Sequence, residues 1–131
     1  MRFVNPAGIV DLQTGDIGPH DPAHHMTKMT TVSPGGDCPL WLRFLDRVTD
    51  GDAELVAFLK RVAGYCLTGI TREHAMFFAY GTGRNGKGVF LNALVSILGD
   101  YAMTADPDTF TSRGQGKPLT AFARLQGARL V

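Results

Sequence analysis

Residues 75–98 read AMFFAYGTGRNGKGVFLNALVSIL, and three patterns follow one another inside that stretch. The run 75–80 is continuously apolar and includes Phe77, Phe78 and Tyr80, with Glu73 and His74 before it and glycine after it. So short a run without alternation predicts a strand covered on both faces. Glycine then occupies positions 81, 83, 86 and 88. Beyond the glycines Val89, Phe90, Ala93, Leu94, Ile97 and Leu98 recur at helical spacing, and Gly99 supplies a stop. The predicted order is strand, glycine loop, helix.

Between strand and helix, Gly81-Thr82-Gly83-Arg84-Asn85-Gly86-Lys87-Gly88 satisfies G-x-x-x-x-G-K, the core of the phosphate-binding loop. The chemistry needs these residue types. Glycines let the backbone curl so that N–H groups point inward, and the following helix turns its positive end toward the same anion. Lys87 supplies an ammonium for the β- and γ-phosphates, where charge builds as the terminal bond breaks. Gly88 departs from the full pattern, because Ser or Thr usually stands there with a hydroxyl for Mg²⁺. Thr82 is a conceivable substitute inside the loop; otherwise the metal falls to ATP phosphates, water and an acidic residue elsewhere. A glycine-rich turn without nucleotide is the plainer reading, but the strand before and the helix after favour the phosphate loop.

Working outward, 37–70 reads as a helical hairpin. Asp37 is placed to cap, Pro39 suits a first turn, and Trp41, Phe44, Leu45 and Val48 fall at i, i+3, i+4 and i+7. After Asp50-Gly51-Asp52 a second helix puts Leu55, Phe58, Leu59, Val62 and Cys66 on one side and stops at Gly69. Trp41, Phe44 and Phe58 read as core. Residues 1–36 are broken by Asn5-Pro6, Gly18-Pro19 and Pro34-Gly35-Gly36, leaving 9–12 and 26–32 as strand candidates and Gln13-Thr14-Gly15-Asp16 as a hairpin turn. Downstream of Tyr101 the chain is loop-like through Pro118, 119–125 is a short helical candidate, and 128–131 opens an extended apolar segment. The expected organisation is therefore α/β: a loop-rich β lead-in over 1–36, a helical subdomain over 37–70, and over 71–131 the first strand, loop and helix of a P-loop NTPase core.

The 131 residues, 44% of them apolar, suffice for one packed domain or for a fragment of something larger. Thirteen basic and twelve acidic residues leave a net charge of +1, which excludes a strongly basic nucleic-acid coat and an acidic tail protein. Cys38 and Cys66 form no CxxC unit, so neither a disulfide framework nor a zinc knuckle is written here, and both read as reduced thiols. No stretch is long and apolar enough for a membrane span, and no signal peptide opens the chain, so a cytoplasmic protein is expected. His20, His24 and His25 with Cys38 match no standard metal spacing and read as an exposed loop. Asp106 and Asp108 read as turn residues, and no residue is assigned to a metal. After Asp108 only basic charges follow, Arg113, Lys117, Arg124 and Arg129; a solvated face is the plain reading and a contact to DNA phosphates the sharper one.

Several stretches together resemble the phage and plasmid primase-helicase family, a branch of the superfamily 3 helicases that includes the poxvirus replication NTPase. GIVDLQTGDIGPHDPAHHMTKMT looks like the family's segment ahead of the helicase, and CPLWLRFLDRVTDGDAELVAFLKRVAGYCLTG like its helical pair. FFAYGTGRNGKGVFLNALVSILGDYA looks like its phosphate loop and helix, and LTAFARLQGARLV like the approach to its acidic Walker B strand. The resemblance implies ATP with Mg²⁺ as cofactors, Lys87 as the catalytic lysine, and a nucleotide site formed by Gly81, Thr82, Gly83, Arg84, Asn85, Gly86, Lys87, Gly88 and Val89. It also implies ATP-driven unwinding of DNA by a hexameric ring of identical subunits during replication, in a bacterial or phage-infected cytoplasm. The Walker B acids, the arginine finger and the DNA-gripping hairpin would all follow Val131, so a truncated helicase is expected. A remnant or interaction module that binds nucleotide or helicase subunits without turnover is the second reading. A small P-loop kinase fits less well, since its loop usually lies near the amino terminus.

Overall fold

The computed structural model describes residues 1–73, 75–110 and 123–131. At the amino terminus, strand β1 (Arg2–Asn5) runs antiparallel to β2 (Gly8–Asp11), with Phe3 opposite Val10 and Val4 opposite Ile9. Gln13 to Asp16 carry the chain on to a two-residue strand, β3 (Ile17–Gly18), on the other edge of β2. Asn5 closes the first turn, its side-chain oxygen accepting the Ala7 N–H at 2.8 Å. Gly8 lets β3 approach: a Cβ there would lie 2.1 Å from the Gly18 carbonyl oxygen.

Residues 26–32, a strand candidate by sequence, form no strand. Their polar groups bridge two elements instead of pairing with one. Thr30 donates its N–H to Val4 O at 2.9 Å, while the Thr31 N–H and hydroxyl donate to the carbonyls of Ile97 and Ser96. These are among the last four carbonyls of a helix, which have no partner inside it. The lead-in thereby ties the edge of β1 to the end of a helix more than sixty residues further on.

Helix α1 (Pro39–Val48) starts on proline, which needs no N–H partner in a first turn. Its N-cap is Cys38, not Asp37 as the sequence suggested, and no side chain caps it. Helix α2 (Ala53–Thr68) is capped by Asp52, whose carboxylate accepts the N–H groups of Glu54 and Leu55 at 2.9 and 3.0 Å. It stops at Gly69, left-handed at φ 65°. Helix α3 (Lys87–Leu98) follows the glycine loop and ends at Gly99.

The principal core lies at the far end of α3 from that loop. Phe3 and Val10 of the hairpin meet Cys66 of α2, Leu98 of α3 and Tyr101, all at least nine-tenths buried. Burial of this kind is worth about 1.5–3 kcal/mol for each large side chain. Arg129 fastens the same region from outside. Its guanidinium donates to the carbonyls of Leu67 and Arg2 and lies over the Tyr101 ring, 4.3 Å from its centre. Beside it Ala102 and Leu130 form a parallel bridge, with the Met103 N–H donating to Leu130 O at 2.8 Å.

The run 75–80 departs from expectation. It belongs to no ladder, and Met76, Phe78 and Tyr80 are each more than 80% exposed. A strand covered on both faces needs hydrogen-bonded neighbours, and none among the described residues pairs with this one. Only Phe77 is partly enclosed, edge-on to Phe58 and Tyr65 of α2 at 6.2 and 6.3 Å. The helical candidate 119–125 falls mostly outside the described residues, as do Arg113 and Lys117.

Candidate phosphate-binding loop

The glycine loop runs through consecutive bends over 82–86 and delivers the chain into α3 at Lys87. Gly83 at φ 98° and Gly86 at φ 85° occupy a region that suits glycine, and Arg84 enters it too at φ 50°. The first helical bond is donated by the Phe90 N–H to Gly86 O at 3.0 Å. The amides of Lys87, Gly88 and Val89 therefore open the helix with no side-chain cap over them. Free amides at a helix start, with its positive dipole end, form a ready anion site.

Lys87 does not reach away into solvent. Its ammonium donates to Asn85 Oδ1 at 2.6 Å, which folds the side chain back over the loop. Gly81, Thr82, Gly83, Arg84 and Asn85 are exposed, while Gly86 and Lys87 are half-buried. The nine residues 81–89 are thus brought together as one surface loop with one cation inside it and a second, Arg84, at its tip.

The loop is held from behind by residues the sequence marked only as core. A Cβ on Gly86 would come within 2.5 Å of Val48 Cγ1 and 3.2 Å of Phe44 Cε2, so the last loop glycine lies directly on α1. Trp41 stacks on Phe44 at 5.2 Å and on Phe90 of the first turn of α3 at 5.8 Å. The i, i+3, i+7 stripe showed that these residues face inward, but a stripe does not say what lies opposite.

The loop's own groups are backbone amides, two cations and one hydroxyl, which suit an anion and offer few oxygen ligands to Mg²⁺. Mg²⁺ demands oxygen ligands in near-octahedral geometry. Between Gly81 and Gly99 the sequence contains no Asp or Glu, and position 88 offers no hydroxyl. Asn85 Oδ1 is already held by Lys87, which leaves Thr82 as the loop's hydroxyl. Among the described residues no group of three or more His, Cys, Asp and Glu is placed to hold a metal. His20, His24 and His25 are exposed, and His24 Nε2 lies 3.1 Å from Arg2 Nη1. Arg129, a candidate for DNA phosphate by sequence, is taken up by the carbonyls of Leu67 and Arg2.

Residues 1–50 match a family model described as D5 N terminal like, the N-terminal domain of phage and plasmid primase-helicase proteins. The matched segment carries the β hairpin, the 26–32 bridge and all of α1, including the wall behind Gly86; it ends before the loop itself. This similarity relates the segment to phage and plasmid DNA replication proteins. No solved structure matches the chain. Among the described residues no helix is long and apolar enough to cross a membrane.

Proposed function

We propose that residues 81–89 bind the phosphates of ATP and that the chain is the ATP-binding portion of a phage or plasmid replication helicase. The observation that carries this reading is the loop itself: G-x-x-x-x-G-K opens α3 with its first amides uncapped and Lys87 folded over them. In this reading Gly83, Asn85, Gly86 and Gly88 contribute chiefly backbone N–H groups, and Lys87 the charge that balances the terminal phosphates. Mg²⁺ would come with the nucleotide, held by phosphate oxygens, water and an acidic residue outside the loop. The similarity of residues 1–50 supports the replication context; in this reading identical subunits would form a hexameric ring on DNA, in the cytoplasm of a bacterium or phage-infected host.

Trp41 is the chain's only tryptophan and stacks on Phe90, so its fluorescence reports events at the loop. Titration with ATP is expected to change that signal saturably. Lys87→Ala is expected to weaken ATP binding by about tenfold or more, the scale of a lost charge-assisted contact. Equal binding by native and Lys87→Ala chains would remove the site.

The second reading is nucleotide binding without turnover, since residues 81–99 carry phosphate-binding groups and the residue that orients an attacking water has to come from another segment. Phosphate release from ATP separates the two: sustained hydrolysis that Lys87→Ala abolishes supports the helicase motor, and binding without release supports the module.

A further inference from the structure

Three residues of the loop form a unit that its phosphate-binding role does not require. Asn85 Oδ1 accepts from the Lys87 ammonium at 2.6 Å. A Cβ on Gly81 would stand 2.2 Å from Asn85 Nδ2 and 3.1 Å from Lys87 Nζ. Gly83 and Gly88, by contrast, face open space, with nothing within 4 Å of an added Cβ. Gly81 is therefore the glycine whose missing side chain makes room for the asparagine and lysine heads. A free lysine side chain samples many rotamers, and confining it costs entropy when the ligand arrives.

We propose that Asn85 is a positioning residue for Lys87: its side-chain oxygen holds the ammonium over the loop, in the clearance Gly81 provides, so that an incoming phosphate meets a lysine already in place. This rests on the nucleotide reading above and adds to it a role for the Asn85 side chain, distinct from the amide that the loop motif uses. The tether also leaves the ammonium free to act: Nζ carries three N–H donors, so Asn85 Oδ1 keeps one while phosphate takes another. A carboxylate at the same position would instead compete with the phosphate for the charge as an ion pair.

Two measurements on the full chain test the proposal separately. The first needs no nucleotide: acetylation of lysines by a limiting acylating reagent, read peptide by peptide by mass spectrometry, with exposed Lys60 as internal control. Lys87 should react more slowly than Lys60. Asn85→Ala and Gly81→Ala should each raise the Lys87 rate about fivefold, the size of one exposed hydrogen bond to a charge, with Lys60 unchanged. The second is ATP titration through Trp41 fluorescence. Both variants should bind ATP about fivefold more weakly than the native chain, and combining them should add less than about twofold. Asn85 is exposed and lies outside α3, so Asn85→Ala tests the tether without touching the backbone, while Gly81→Ala crowds the same pair and also strains the loop at φ 157°; the Asn85→Ala result decides where the two differ.

An unchanged Lys87 rate in both variants overturns the tether. A faster Lys87 with unchanged ATP affinity overturns the positioning role and leaves nucleotide binding standing. If Lys87→Met binds ATP as the native chain does, the nucleotide reading itself fails, whatever the acetylation shows.

Discussion

Glycines of the same loop do different work, and the difference is steric. Gly86 combines φ 85° with a Cβ position 2.5 Å from Val48 Cγ1, so Gly86→Ala is both strained and overlapped. That substitution is expected to cost about 1–3 kcal/mol in thermal or denaturant unfolding and to loosen α1 from α3. Gly88 meets nothing within 4 Å and has no unusual φ, so its lack of a hydroxyl is not imposed by crowding. Gly88→Ser should therefore fold normally and add the oxygen ligand that the loop lacks. The native chain is expected to bind ATP nearly as well in EDTA as in Mg²⁺. Gly88→Ser should raise the preference for Mg²⁺ by about fivefold, equal to roughly 1 kcal/mol. A native preference already that large would show that another residue supplies the ligand. The G-x-x-x-x-G-K spacing was legible in the sequence because it is local; the identity of each glycine's neighbours was not, because Val48 and Phe44 arrive from another helix.

Elements form where local signals agree and shift where partners lie elsewhere. Asp52 and Gly69 delimit α2 as their residue types predict, since caps act within one turn of the chain. The amino-terminal hairpin likewise closes on its own residues, and Asp11 fastens it: Oδ1 accepts the Gln13 N–H at 2.9 Å and Oδ2 the Arg2 Nε–H at 3.2 Å. The Gln13 amide first and the Arg2 side chain second hold the Asp11 carboxyl below its usual value of 3.8. Because the folded value is the lower one, the stability this carboxylate adds is present above pH 3.8 and is lost as pH falls through the folded value. Comparing unfolding of native and Asp11→Asn chains from pH 6 to pH 2 checks this; the two curves should converge at the acid end. Residues 26–32 and 75–80 behave differently. Both have strand-like composition, yet a strand is made by its neighbours. The first finds a β edge and a helix end to bridge; the second finds no ladder partner among the described residues.

Across the whole molecule, contacts distant in sequence gather on a few groups. Arg129 joins β1, the end of α2 and Tyr101 through two carbonyls and one aromatic face. Burial lowers its pKa, with the nearby Tyr101 acting in the opposite direction. Arg129→Met keeps much of the stem but leaves both carbonyls without that donor, so a loss of about 1–3 kcal/mol in unfolding free energy is expected. Arg129→Lys should recover little, because an ammonium lacks the planar fork that reaches two carbonyls at once. Recovery of native stability by lysine would show that charge over Tyr101, and not the fork, is what matters. Polarity also divides unevenly. Val89, Leu91, Val95 and Ile97 of α3 stay exposed although apolar, while Leu94 and Leu98 are buried.

The sequence by itself determined the phosphate-loop spacing, the two helices of 37–70 with the caps of α2, and the lack of any Asp or Glu within 81–99. Each depends on residues within a turn or two of one another, where chemistry and backbone preference act directly. Only the tertiary structure decided that α1 backs Gly86, that the 26–32 segment bridges the end of α3, and that Arg129 is a tie between carbonyls. Those depend on which distant surfaces meet, and packing is set by shape and burial across the chain, which no local pattern encodes.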